Sequence, residues 1–215
     1  MLPWRYIVVE GVIGVGKTSL VKLLATRTDA RVNLEVVEDN PFLARFYQDR
    51  AAHAFQTQIF FLLSRFRQQQ VLAQPELFNQ LLVSDYLFAK DRIFANLTLS
   101  DEELALYNQL AGILEDRVLE PDLVIYLQAS TELLLERIRL RGRAYERNIE
   151  ADYIESLNRA YNFFFHHYQD TPLLVVGADH LDYVTVPADL DLLVDQLREP
   201  FRGTRYYAPR AGGGA

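Results

Sequence analysis

The chain has 215 residues, 50% of them hydrophobic and 24% charged, which predicts one globular domain with a full core. It has no cysteine, which excludes disulfides, thiolate zinc sites and cysteine nucleophiles, and its four histidines show no metal-ligand spacing. A formal charge of −7 argues against a nucleic-acid partner.

Tyr6 to Val9 reads as a short buried strand, and Lys17 to Ala25 as a helix with an apolar stripe. Between them Gly11, Gly14, Gly16, Lys17 and Thr18 fit G-x-x-x-x-G-K-[ST]. Strand, glycine turn and helix are the setting in which successive backbone N–H groups form an anion nest, aided by the helix N-terminus. The run Gly11-Val12-Ile13-Gly14-Val15-Gly16-Lys17-Thr18-Ser19 is therefore expected to cradle ATP phosphates. Lys17 would reach the outer phosphates, and Thr18 would bind Mg2+. No stretch approaches transmembrane length, and the glycine turn starts too near Met1 for a signal peptide to precede it. A cytoplasmic location is expected.

Residues 31–37 alternate as a second strand, ending at Glu38. Asn40 can cap a helix with Pro41 at its first position, leaving Glu38 free at the strand's carboxyl end, where ligands lie in open α/β sheets. Residues 53–72 form a long helix that Pro75 breaks, with Gln58 and Arg65 on one face. Leu81 to Asp85 is a buried strand ending in an acid, which either joins a Mg2+ site or caps the helix carrying Asp91, Arg92 and Phe94. Ser100 and Glu103 form a capping box opening a helix towards Leu119, for core or dimer packing.

Leu123 to Leu127 is a further strand, and Ser130 or Thr131 caps a helix ending at Gly142. Its arginines, Arg137, Arg141 and Arg143, either complement the helix dipole or form a lid that neutralises a transferring phosphoryl group. A helix over 150–168 follows, with His166 and His167 as surface or interface residues. Residues 172–176 make the last strand and 190–197 the last helix. The expected fold is a three-layer α/β arrangement, a five-stranded parallel sheet with helices on both faces and an arginine-rich lid. It is expected over residues 1–202, with 203–215 a disordered tail.

Taken together, these motifs resemble the deoxynucleoside kinase family, in particular its bacterial deoxyguanosine and deoxyadenosine kinases. The stretches that carry the resemblance are Glu10 to Thr18, Val37 to Leu43, Asp85 to Ala95 and Arg137 to Arg143. It implies Glu38 as the base for a nucleoside 5′-hydroxyl, Gln58 as the amide that reads the nucleobase, and Arg65 with Asp91 as an ion pair favouring purines. Phe94 would stack on the base, Tyr47 and Glu146 would hold the sugar 3′-hydroxyl, and Asp85 would share Mg2+ with Thr18. It also implies a homodimer. One departure stands out: many members follow the acid at Asp85 with arginine and serine, whereas this chain has Tyr86 and Leu87. Either the chain does without that cation or another, such as a lid arginine, replaces it. The alternatives are a nucleoside monophosphate kinase of the thymidylate kinase kind and a non-catalytic nucleotide-binding subunit.

Overall fold

A computed structural model describes residues 2–72 and 80–209. Pro75, the expected helix breaker, lies outside the described residues. The elements in order are β1 (Tyr6–Gly11), α1 (Lys17–Thr28), β2 (Arg31–Asn33), α2 (Leu43–Phe46), α3 (Arg50–Leu72), β3 (Leu82–Ser84) and a 3-10 turn, Phe88–Lys90. Then come α4 (Asp91–Thr98), α5 (Asp101–Glu115), β4 (Leu123–Gln128), α6 (Thr131–Arg141), a 3-10 turn at Ala144–Glu146, α7 (Ala151–His166), β5 (Leu173–Gly177), α8 (Pro187–Gln196) and β6 (Thr204–Tyr207).

Among the described residues, six parallel strands form one sheet in the order β2-β3-β1-β4-β5-β6. The architecture is the expected three-layer α/β fold with one strand more. β1 and the apolar part of β4, Leu123 to Leu127, are buried throughout, as central strands covered on both faces must be. From β1 the chain runs out to β2, returns to β3 and crosses to β4, so β1 marks the switch point. In such sheets the crevice for a ligand opens there, at the carboxyl ends of the strands.

The extra strand corrects the expectation of a disordered tail from residue 203. Thr204 to Tyr207 pair with Leu173 to Val176, Tyr207 packs against the core, and the Arg205 guanidinium lies 4.2 Å from the Phe201 ring. Only alternate residues of this edge strand are half-buried, so its sequence carries little hydrophobic signal.

Two further expectations change at β2. The strand stops at Asn33 and does not reach Val37, because its partner β3 stops at Ser84 and the chain beyond has no ladder to join. The next helix begins at Leu43, two residues later than Asn40-Pro41 predicts; Asn40 instead closes the preceding turn by accepting from the Phe42 amide at 3.0 Å. Other signals hold. Ser100 and Glu103 make the reciprocal capping box of α5, Ser130 caps α6, and Gly142 ends α6 in the left-handed region at φ 64°. His166 and His167 are exposed.

Candidate active site

One cleft of about 820 Å³ runs along the carboxyl edge of the sheet. At one end is the glycine turn. Gly16, at φ 108°, caps α1 without any side-chain hydrogen bond, which leaves the first helical amides directed at the cleft. A β-carbon at Gly16 would also run into the Tyr183 hydroxyl, which donates to the Gly16 carbonyl at 3.2 Å. Ile13, Gly14, Gly16, Lys17, Thr18 and Ser19 line the cleft. Gly11, Val12 and Val15 are buried and do not line it. The Lys17 ammonium donates to the Gly11 and Val12 carbonyls at 2.6 and 3.3 Å, and burial holds its pKa below that of a free lysine, partly offset by Glu10.

Asp85 bonds to the glycine turn and does not cap the turn that follows it. Its Oδ2 accepts from the Thr18 hydroxyl at 2.5 Å and its Oδ1 from the Glu35 amide at 2.6 Å, while the following turn has no side-chain cap. It is thus directed at the phosphate cradle. Thr18 and Asp85 offer hard oxygens side by side, the donor chemistry that suits Mg2+. Among the described residues no group of three or more His, Cys, Asp or Glu could hold a metal ion.

The acid at the sheet edge is Glu35, which the sequence reading missed. Its side chain is 12% exposed, whereas that of Glu38 is 58% exposed at the rim, paired with Arg143 at 3.2 Å. The premature end of β2 moves the acid at the strand terminus back from Glu38 to Glu35. Arg65 binds Glu35 Oε1 through two nitrogens, Nε at 3.0 Å, and Lys90 Nζ lies 2.9 Å from Oε2. Burial alone would raise the Glu35 pKa; the Arg65 and Lys90 charges outweigh it and hold the carboxyl well below its ordinary value.

At the far end, Gln58 and Arg65 line the cleft from α3 and Phe94 from α4. Arg65 also pairs with Asp91, which stands behind it outside the cleft and has no other donor among the described residues. The Arg65 guanidinium lies 4.5 Å from the Phe61 ring. Tyr47 and Glu146 both line the same cleft, and burial raises the Tyr47 pKa well above its ordinary value.

The three candidate lid arginines all reach the cleft, each already engaged. Arg137 donates to the Val15 carbonyl at 2.6 Å, Arg141 grips Glu146 through two bonds of 3.1 and 2.6 Å, and Arg143 reaches Glu38 and the Tyr145 hydroxyl. Two more features went unread in the sequence. Residues 179–184, the loop after β5, close the phosphate end; a buried strand at the sheet's carboxyl edge was the signal for them. Lys90 is a lysine held at 2% exposure within a mostly apolar run, Leu87-Phe-Ala-Lys90. Tyr86, the residue that departs from the arginine of many family members, is wholly buried outside the cleft, its ring 5.8 Å from Lys90 Nζ.

Residues 7–201 match the model of the family described as deoxynucleoside kinase. The chain is 34% identical over 199 residues to the deoxyguanosine kinase of Bacillus subtilis (strain 168), covering 90% of this chain and 96% of that one. It is 31% identical over 199 residues to the deoxyadenosine/deoxycytidine kinase of the same organism, covering 89% and 90%. Among solved structures, the deoxyadenosine kinase of M. mycoides with bound dATP superposes with a TM-score of 0.77 at 27% identity, over 90% of this chain and all of that one.

Proposed function

The chain belongs to the deoxynucleoside kinase family, and we propose that it transfers the γ-phosphoryl group of ATP to the 5′-hydroxyl of a purine deoxynucleoside, deoxyguanosine first and deoxyadenosine second. The observation that carries this is the single cleft joining the phosphate cradle to the Gln58, Arg65 and Asp91 cluster, with the buried carboxylate of Glu35 between them. A guanidinium donates to the acceptors on a guanine edge, with Asp91 holding Arg65 from behind, whereas an amide such as Gln58 matches adenine. Tyr47 and Glu146 hold the sugar hydroxyl and pack against a deoxyribose, and Phe94 stacks on the base.

In this reading Lys17 and the amides at the start of α1 hold the phosphates. Thr18 and Asp85 hold Mg2+, which supplies charge neutralisation between the phosphates. Glu35 replaces Glu38 as the base: it is buried beside Asp85, whereas Glu38 sits among lid groups. Arg137, Arg141 and Arg143 offset charge on the phosphoryl group, and closure around it excludes water. A monophosphate kinase would need a free cation for the acceptor's phosphate. Arg65 is taken by Glu35 and Asp91, which disfavours that alternative.

The active form is a homodimer in this reading. Leu106, Leu110 and Ile113 form an exposed apolar stripe at helical spacing along α5, which packs on α3 with Leu63 and Val71 also exposed. No helix among the described residues is long and apolar enough to cross a membrane. A cytoplasmic location, where ATP is supplied, is part of this reading.

The test is transfer from ATP with Mg2+ to a panel of deoxyguanosine, deoxyadenosine, deoxycytidine, thymidine, guanosine, dGMP and dTMP. Preference for a purine deoxynucleoside is expected. Turnover confined to monophosphates, or to thymidine, would overturn the reading.

A further inference from the structure

Lys90 ends the short 3-10 turn before α4 and is 2% exposed. Its ammonium lies 2.9 Å from Glu35 Oε2 and 3.7 Å from Glu10 Oε2. Taking an ammonium out of water costs several kcal/mol, and an apolar side chain of similar length often serves packing as well or better. A role beyond packing is therefore the question.

Glu10 does not need Lys90. Its carboxylate already accepts from the Gly11 amide at 3.0 Å, the Leu87 amide at 2.8 Å and the Tyr161 hydroxyl at 3.2 Å. Glu35 is different. Among the described residues its carboxylate has two partners, one on each oxygen: Arg65 on Oε1 and Lys90 on Oε2. Arg65 is also tied to Asp91 and lines the end of the cleft assigned to the nucleobase. Engagement of Arg65 by a base would draw it off Oε1. Lys90 would then remain as the cation on Glu35, and Oε1 would become the free acceptor.

We propose that Lys90 is a positioning residue for phosphoryl transfer: it fixes Glu35 through Oε2 so that Oε1 meets the acceptor hydroxyl, and its charge steadies the oxygen that attacks phosphorus. The proposal rests on the transfer reading above. In the step itself, Glu35 Oε1 takes the hydroxyl proton as the new oxygen–phosphorus bond forms. The bond from the γ-phosphorus to the bridging oxygen breaks, and ADP leaves with that electron pair. The proton on Glu35 passes to solvent as product departs. Of the cations lining the cleft, Lys17 lies in the phosphate cradle and the lid arginines contact Val15, Glu146 and Glu38; Arg65 and Lys90 are seated on the acid, and Lys90 alone of these two is free of Asp91.

The experiment compares Lys90→Met, Lys90→Gln, Lys90→Arg, Glu35→Gln and the double variant Lys90→Met/Glu35→Gln, all in the full chain with ATP, Mg2+ and a purine deoxynucleoside. Lys90→Met is expected to lower kcat about 100-fold while both KM values stay within about threefold. Lys90→Arg is expected to recover to within about tenfold of the native rate. If Lys90 acts through Glu35, adding Lys90→Met to Glu35→Gln costs less than about threefold more. Thermal unfolding and ATP binding are measured for each variant; should Lys90→Met fail to fold, Lys90→Gln and the double variant, which removes both partners, carry the comparison. Native-like kcat in Lys90→Met or Lys90→Gln, or equal losses from the Lys90 change in the presence and absence of the Glu35 carboxylate, would overturn the proposal. A native chain that phosphorylates no nucleoside would instead overturn the transfer reading.

Discussion

The Glu35 amide donates to Asp85 Oδ1 at 2.6 Å, which ties the end of β2 to the end of β3 just where their ladder stops. Asp85 in turn accepts from Thr18 through its other oxygen. The phosphate cradle, the carboxylate beside it and the acid of β2 thus form one connected unit. The Glu35 side chain extends from that unit to Arg65 and through it to Asp91.

Arg65 compensates two buried carboxylates at once, so its removal is expected to be costly. Arg65→Ala should destabilise the fold by about 3–5 kcal/mol, the usual penalty for leaving a buried charge unpaired. It should also erode discrimination among purine nucleosides more than it slows transfer. Thermal unfolding alongside kcat/KM for deoxyguanosine and deoxyadenosine checks both; an equal loss with every nucleoside and no loss of stability would contradict the assignment.

Truncation after Arg202 removes β6 and bares the edge of β5. Loss of this short ladder and of the Tyr207 contact is expected to cost roughly 2–3 kcal/mol, or about 5–10 °C in Tm for a chain of this size. An unchanged Tm would mean that β6 contributes nothing to the fold.

Alkaline pH should unfold the chain through its buried phenols. Burial pushes the Tyr168 and Tyr183 hydroxyls up to about 12, and those of Tyr6, Tyr107, Tyr126 and Tyr153 higher still. A phenol whose folded pKa is raised contributes stability that is complete below its unfolded value of 10.0 and is lost as pH rises towards the folded value. Each such group removes about 1.4 kcal/mol per pH unit in that window. Phenolate absorbance of the buried tyrosines should therefore rise in one cooperative step with unfolding above pH 10.0, apart from the exposed Tyr206, whose ionisation needs no unfolding. Gradual ionisation in a chain that stays folded would contradict it.

Where local chemistry decides, the sequence was readable. The glycine turn, the Ser100–Glu103 box, the apolar run of β4 and the Ser130 and Gly142 ends of α6 each follow from residues within a few positions. The end of β2 does not. Residues 34–37 alternate well enough to continue a strand, but the length of β3 decides where pairing stops, and that lies some fifty positions away in the chain. The longer strand expected from the sequence put the acid at its terminus at Glu38, whereas the observed end at Asn33 leaves Glu35 nearest to it. β6 was missed because an edge strand needs only one apolar side, and Lys90 because nothing adjacent in sequence marks a lysine as buried. The Gln58, Arg65 and Asp91 cluster came through resemblance: one turn-spacing argument joined Gln58 to Arg65, but only the fold brings Asp91 to them.

Comparison of Glu35→Gln with Glu38→Gln tests the assignment of the base most directly. Single-turnover transfer and ATP binding are measured for both, with a purine deoxynucleoside as acceptor. Glu35→Gln should slow transfer about 100- to 10,000-fold with ATP binding retained, and Glu38→Gln should stay within about tenfold of the native rate. A fast Glu35→Gln beside a nearly inert Glu38→Gln would return the base to the lid-side acid and contradict the site described.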